Sequence, residues 1–369
     1  MQGTTGAPPA DEHRIFGLDL LRILSMVMVI ILHLLGQGGI LGASAPGSFR
    51  ELTARALECI CYCAVDCYGL LSGYLSPARE RTGYAKAALL WLEVTVYSLV
   101  YACVFRCVSP EYAGKRELLN ALFPVLRRQY WYFTAYFALA LFGPILSGGL
   151  RRVSKPSALP LALCLTVFFC VLPTLFCTDP FSLKGGYSAL WLILLFVLGA
   201  LLNKSGLPEG IPPGVPASCF LLCTGLTFLL TALHPVSIPR LGTVALLSYT
   251  SPTVLLSAAS LLLLLRSLRI RSKALQRGLT RLSGASFAVY ILHTNPLLWK
   301  HVFYPGVLKP FAQLPAWIFP FCIVACAVLV YMAGCAVDSL RSLVFRKLGI
   351  RERLEAFDRR MRRKLPAEE

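Results

Sequence analysis

The chain has 369 residues, of which 56% are hydrophobic and 15% charged, with 36 Lys plus Arg against 18 Asp plus Glu and a formal net charge of +18. Its mean hydropathy of +0.66 excludes an ordinary soluble domain, while the positive balance suits anionic partners. Apolar runs near the ~20 residues that cross a bilayer recur along the chain, so lipid rather than nucleic acid is the expected partner.

Residues 1–15 are polar and lack the basic start and small-residue cleavage site of a signal peptide, so the first apolar run is expected to stay in the membrane. Ten candidate spans follow: 16–35, 57–76, 85–108, 130–148, 158–177, 187–203, 216–234, 241–265, 284–303 and 314–337. Their connections are short and rich in Gly, Pro and charge. The expected fold is an all-α polytopic transmembrane bundle of about ten helices. It divides into a polar segment 1–15, a membrane domain 16–337 and a basic amphipathic tail 338–369 suited to the membrane surface. The excess of Lys and Arg falls on the segments holding Arg14, Arg79 with Arg81, Arg151, the 266–281 loop and the tail. By the positive-inside rule both termini are cytoplasmic, in a multi-pass protein of the cell membrane.

Ionisable side chains inside spans are costly and mark functional candidates. The first span holds Asp19, Arg22 and His33. Eleven residues separate Arg22 from His33, which on a helix is three turns plus ~20° and ~16 Å along the axis. The two therefore share a stripe that reads Asp19, Arg22, Met26, Val29 or Ile30, and His33, with Asp19 placed to pair with Arg22. Asp19 and Arg22 could equally pair and snorkel at the interface. His33, aligned with Arg22 and followed by a flexible GQGG at 36–39, is the stronger functional candidate.

Elsewhere, Glu58 and Asp66 do not share a narrow face, and Glu93 reads as packing or ion pairing. His293 precedes Asn295 and Pro296; this proline frees a backbone carbonyl one turn earlier, leaving His293 a ligand-facing or a structural role. Cys59, Cys61, Cys63 and Cys67 cannot converge on a metal from a helix, so no metal site is expected. Most of the fourteen cysteines sit in apolar runs as small packing residues, and no structural disulfide is expected.

RILSMVMVIILH (Arg22 to His33), preceded by GLDLL, resembles the opening helix of acyltransferase family 3 membrane proteins. DCYGLLSGYL (Asp66 to Leu75), QYWYFTAYFALALFGPIL (Gln129 to Leu146), GYSALWLILLFVLGALL (Gly186 to Leu202) and ASFAVYILHTNPLLW (Ala285 to Trp299) are similar in character and order. The resemblance spans about 15–337 and implies a ten-helix core. It implies transfer of an acyl group, usually acetyl, from acetyl-CoA as co-substrate to a hydroxyl, or sometimes an amine, of a glycan or cell-envelope acceptor across the membrane. Carried over by position, Arg22 resembles the arginine that supports the acyl donor and His33 the catalytic histidine. Some members carry an RxxR motif, which neither Arg79-Glu80-Arg81 nor Arg127-Arg128 reproduces.

The resulting expectation is that neutral His33 takes the acceptor's proton, while Arg22, paired with Asp19 and assisted by Arg79, Arg81 and Lys86, holds donor phosphates. Tyr74, Trp131, Tyr132, His293 and Asn295 are the candidates for acceptor or oxyanion contacts. A carrier of a small polar solute is the alternative, disfavoured because no inverted repeat is visible; a membrane scaffold would leave Arg22 and His33 dispensable.

Overall fold

The computed structural model describes residues 14–76, 84–237, 247–304 and 306–364, without the side chains of 233–237 and 361–364. Among the described residues there is no β-strand. Arg79, Arg81 and the opening of the eighth predicted span lie outside them.

The principal helices are α1 (Phe16–Leu35), α2 (Phe49–Cys61), α3 (Ala64–Tyr74) and α4 (Ala85–Val108). They continue with α5 (Lys115–Leu122), α6 (Trp131–Arg152), α7 (Lys155–Thr166) and α8 (Ala189–Ser205). The last five are α9 (Gly214–Ser237), α10 (Pro252–Arg266), α11 (Lys273–His293), α12 (Phe319–Lys347) and α13 (Ile350–Lys364). Seven spans among the described residues are long and apolar enough to cross a membrane, with α2 and α3 acting as one and α7 extended by a π-turn. Helices α8 and α10 are apolar but shorter, and the basic residues in the first half of α11 lower its hydropathy.

The first and third predicted spans match α1 and α4 residue for residue. The tenth does not stop at 337, because α12 continues to Lys347 through the start of the basic tail. Further along the tail, α13 is docked on α4, where the Tyr84 N–H donates to Asp358 Oδ1 (3.1 Å).

Position in the bundle shows in how much of each span is buried. Of the apolar windows, 56% of the first span and 61% of the α2–α3 span are buried, against 11 to 33% for the other spans. Helices α1 and α3 therefore form the centre. α1 is surrounded by α3, α10, α11 and α12, while α3 lies between α1, α8 and α10. Glycines allow the closest of these approaches. Gly69 and Gly73, four apart on α3, face Leu195 and the Phe196 backbone of α8, and Gly199 of α8 faces the Leu70 backbone, leaving no room for a Cβ at Gly73 or Gly199. Small residues at this spacing let helix backbones touch where lipid offers no hydrophobic drive to pair them.

Most ionisable groups in the bundle find partners within it, as a low-dielectric medium favours, although Asp66 Oδ2 and the Tyr132 hydroxyl are among the buried polar atoms left without a hydrogen bond. Glu93 pairs across helices with Arg341 (3.5 Å), which also holds Asp338 (2.7 Å), and Tyr97 donates to Asp338 (2.8 Å). The fully buried Asp66 accepts from Trp191 Nε1 (3.0 Å). The fourteen cysteines are free thiols.

Candidate active site

The Arg22 end of α1 is fixed by charge. Asp19 is buried and receives Arg14 through two nitrogens (2.7 and 3.0 Å), Arg22 (3.4 Å) and the Ser283 hydroxyl of α11 (2.9 Å). The i,i+3 pairing of Asp19 with Arg22 is thus present, and Asp19 acts as the anchor that orients the guanidinium. The Arg22 carbonyl in turn accepts from the Tyr68 hydroxyl of α3 (2.6 Å).

The His33 end is fixed by the interrupted ninth span. Helix α11 stops at His293 and the chain resumes at Pro296. The carbonyl that Pro296 deprives of its helical donor is that of Leu292, and the Tyr101 hydroxyl fills the gap (2.8 Å). The next carbonyl, of His293, accepts from Trp299 Nε1 (2.9 Å). This break places His293 Nε2 2.9 Å from His33 Nδ1 and sets the Trp299 ring edge-on to the His33 ring, with centroids 4.9 Å apart.

The hydrogen bonds define the tautomers. His293 Nδ1 lies 2.6 Å from the Val289 carbonyl, which can only accept, so the proton of neutral His293 is on Nδ1. Its Nε2 is then an acceptor, and His33 must donate from Nδ1. Neutral His33 is left with an unprotonated Nε2, which has no partner among the described residues. A base held in one tautomer by a second group is the arrangement that proton abstraction requires.

Two cavities flank this helix. One, of about 310 Å³, is lined by His33, Glu58, Trp131, Trp299 and six tyrosines, namely Tyr62, Tyr68, Tyr132, Tyr187, Tyr249 and Tyr290. The other, of about 260 Å³, is lined by Arg22, Lys86, Ser72, Tyr136 and Ser283. Four residues line both: Met26, Tyr68, Tyr132 and Tyr290. They form the wall, or waist, that an arginine-side and a histidine-side chamber share. At the waist the Tyr132 hydroxyl is buried without a hydrogen-bond partner. An unsatisfied buried donor costs stability, and such groups concentrate where a ligand completes them.

Of the residues singled out from sequence, Arg22, His33, Trp131 and Tyr132 line the chambers, and His293 stands directly behind His33. Tyr74 and Asn295 line neither chamber. Tyr74 is buried at the end of α3, and Asn295 is spent on Tyr130 (2.8 Å) and the Leu297 N–H (3.0 Å). The GQGG segment, expected to be flexible, is a hydrogen-bonded turn in which Gly38 N–H reaches the His33 carbonyl (2.9 Å) and Gly39 takes a left-handed φ of 81°. Sequence reasoning passed over Tyr62, Tyr68, Tyr187, Tyr249, Tyr290 and Trp299. Their signal was a recurrence of tyrosine inside apolar runs, where each hydroxyl needs a partner.

Among the described residues the protein is a helical bundle with several membrane-length apolar helices, a histidine facing one chamber and an arginine facing another, the architecture of a polytopic membrane protein. The profile of acyltransferase family 3, described as an acyltransferase domain, matches residues 15–335, and the chain belongs to that family. It is a multi-pass membrane acyltransferase. No curated protein and no solved structure matches the chain.

Proposed function

We propose that the protein moves an acyl group, acetyl in the first instance, from acyl-CoA on the cytoplasmic side to a hydroxyl of a glycan or other cell-envelope acceptor on the opposite side of the cell membrane. The observation that carries this reading is the pair of chambers meeting at one waist, with Arg22 on one side and His33 on the other along a single helix. Both termini cytoplasmic, as the distribution of basic residues implies, puts the arginine-side chamber toward the cytoplasm.

Donor and acceptor enter from opposite ends. Arg22 and Lys86 are the cations of the donor chamber and suit the phosphates of CoA. The thioester reaches the waist. In the other chamber the acceptor hydroxyl gives its proton to His33 Nε2 as its oxygen attacks the thioester carbon. The tetrahedral oxyanion receives a hydrogen bond from the Tyr132 hydroxyl. The carbon–sulfur bond then breaks, the electron pair leaves on sulfur, and the proton on His33 passes to the thiolate to give free CoA and the ester. His293 keeps the His33 ring in the tautomer that can accept.

The decisive experiment supplies labelled acetyl-CoA to the cytoplasmic face of sealed inside-out vesicles from expressing cells. Covalent capture of label with stoichiometric release of CoA, lost in His33→Ala, is the expected result. Solute flux without CoA release would establish a carrier instead.

A further inference from the structure

Resting on the acyl-transfer reading, we propose that Met26, Tyr68, Tyr132 and Tyr290 form a gauge that selects the donor's acyl group by its width, with Met26 as the adjustable element. Among the described residues these four line both chambers, so they are the wall that a group reaching from one chamber into the other has to part.

Three of the four are held. Tyr68 is tied to the Arg22 carbonyl (2.6 Å). Tyr132 packs against Tyr290 at 5.5 Å between centroids and stacks on Tyr136 at 5.9 Å. Tyr290 also sits against the His293 ring at 6.2 Å. Moving any of these rings disturbs Arg22, the oxyanion donor or the histidine pair. Met26 is different. It stands on α1 four residues after Arg22 and seven before His33, about 6 and 10 Å along the axis, so it lies on the path between them. It is 4% exposed, and its unbranched side chain with three rotatable bonds can yield without moving backbone.

An opening bounded by three fixed rings and one narrow yielding chain discriminates by cross-section. A linear acyl chain presents the same width whatever its length, whereas a branch beside the carbonyl widens the group at the point where the thioester must lie. Butyryl and isobutyryl have the same composition and nearly the same hydrophobicity; isobutyryl is wider beside the carbonyl and butyryl is longer. A hydrophobic site distinguishes substrates that differ by one methylene by about 10- to 200-fold, which sets the scale for moving a methyl group onto the branch.

The test uses the sealed vesicles with acetyl-, butyryl- and isobutyryl-CoA carrying label in the acyl group, in wild type and in Met26→Ala. Met26→Ala is expected to raise isobutyryl transfer, measured relative to acetyl, about tenfold or more, and to raise butyryl transfer by less. Met26→Val, which removes less volume, is read in the same way should the alanine variant fail to accumulate, and Met26→Leu, of similar volume, is expected to keep the wild-type ratio. An unchanged isobutyryl-to-acetyl ratio in Met26→Ala and Met26→Val overturns the proposal, as does an equal rise for both four-carbon isomers, which would mean that volume and not width is gauged. Absence of label from acetyl-CoA in wild type would refute the acyl-transfer reading itself, whereas transfer of acetyl with an invariant isomer ratio refutes only the gauge.

Discussion

His33 Nδ1 lies 2.9 Å from His293 Nε2, although the two residues are 260 positions apart in the chain. With His293 Nδ1 committed to the Val289 carbonyl, this contact leaves the His33 lone pair on Nε2. Replacing His293 by Ala should lower kcat by about 10²-fold, the loss that follows a small misplacement of a catalytic group, with little change in KM for acyl-CoA. His293→Gln, whose side-chain carbonyl can accept from His33 Nδ1, should recover part of the loss. Steady-state kinetics of the three proteins checks the split, and a KM effect alone would contradict a positioning role.

Tyr132→Phe removes one hydroxyl that has no partner among the described residues, so the fold loses no hydrogen bond there. Folding yield and thermal stability should match wild type or improve slightly, because a buried unsatisfied donor disappears. Turnover should fall by about 10²- to 10³-fold if the hydroxyl meets the oxyanion, the range for loss of one such donor. A stable variant with normal turnover would remove Tyr132 from the mechanism.

Arg22→Ala withdraws one of the two cations that line the donor chamber among the described residues. The expected effect is a rise of about tenfold or more in KM for acetyl-CoA, the size of a charged hydrogen bond. Acetyl-pantetheine, which lacks the phosphates, should be used equally by variant and wild type. Measuring both donors separates phosphate contact from a general distortion of α1, which would penalise both.

Gly73→Ala places a methyl group on the Phe196 backbone, where the α3–α8 contact has no space for it. The helices must separate, at a cost of about 1–3 kcal/mol for overpacking a tight interface. A lower melting temperature in detergent is the expected outcome. Gly143→Ala in α6, where a Cβ meets nothing within 4 Å, is the control and should leave stability unchanged or raise it.

Much of α1 was legible before any coordinates. Its bounds, its Asp19–Arg22 pair and the shared face of Arg22 and His33 all follow from helical periodicity acting within one segment. Periodicity leaves Glu93 to packing or ion pairing and cannot choose between them, whereas the structure pairs it with Arg341 of α12, far away in the chain. Tyr74 and Asn295 were plausible by residue type and fell away from the chambers because their polar atoms or neighbours claim them elsewhere. The Pro296 break was readable, but not that Tyr101 and Trp299 would occupy the carbonyls around it.

The sequence by itself determined the solvent, the helical class, the family and the two ionisable residues of the first span. Each of these depends on composition, on local period or on a run of residues read within one segment. Only the tertiary structure decided which histidine nitrogen is free, that two chambers exist and that four residues divide them. Those properties arise where α1, α3, α6 and α11 meet, and a contact between helices has no period in the chain that could announce it.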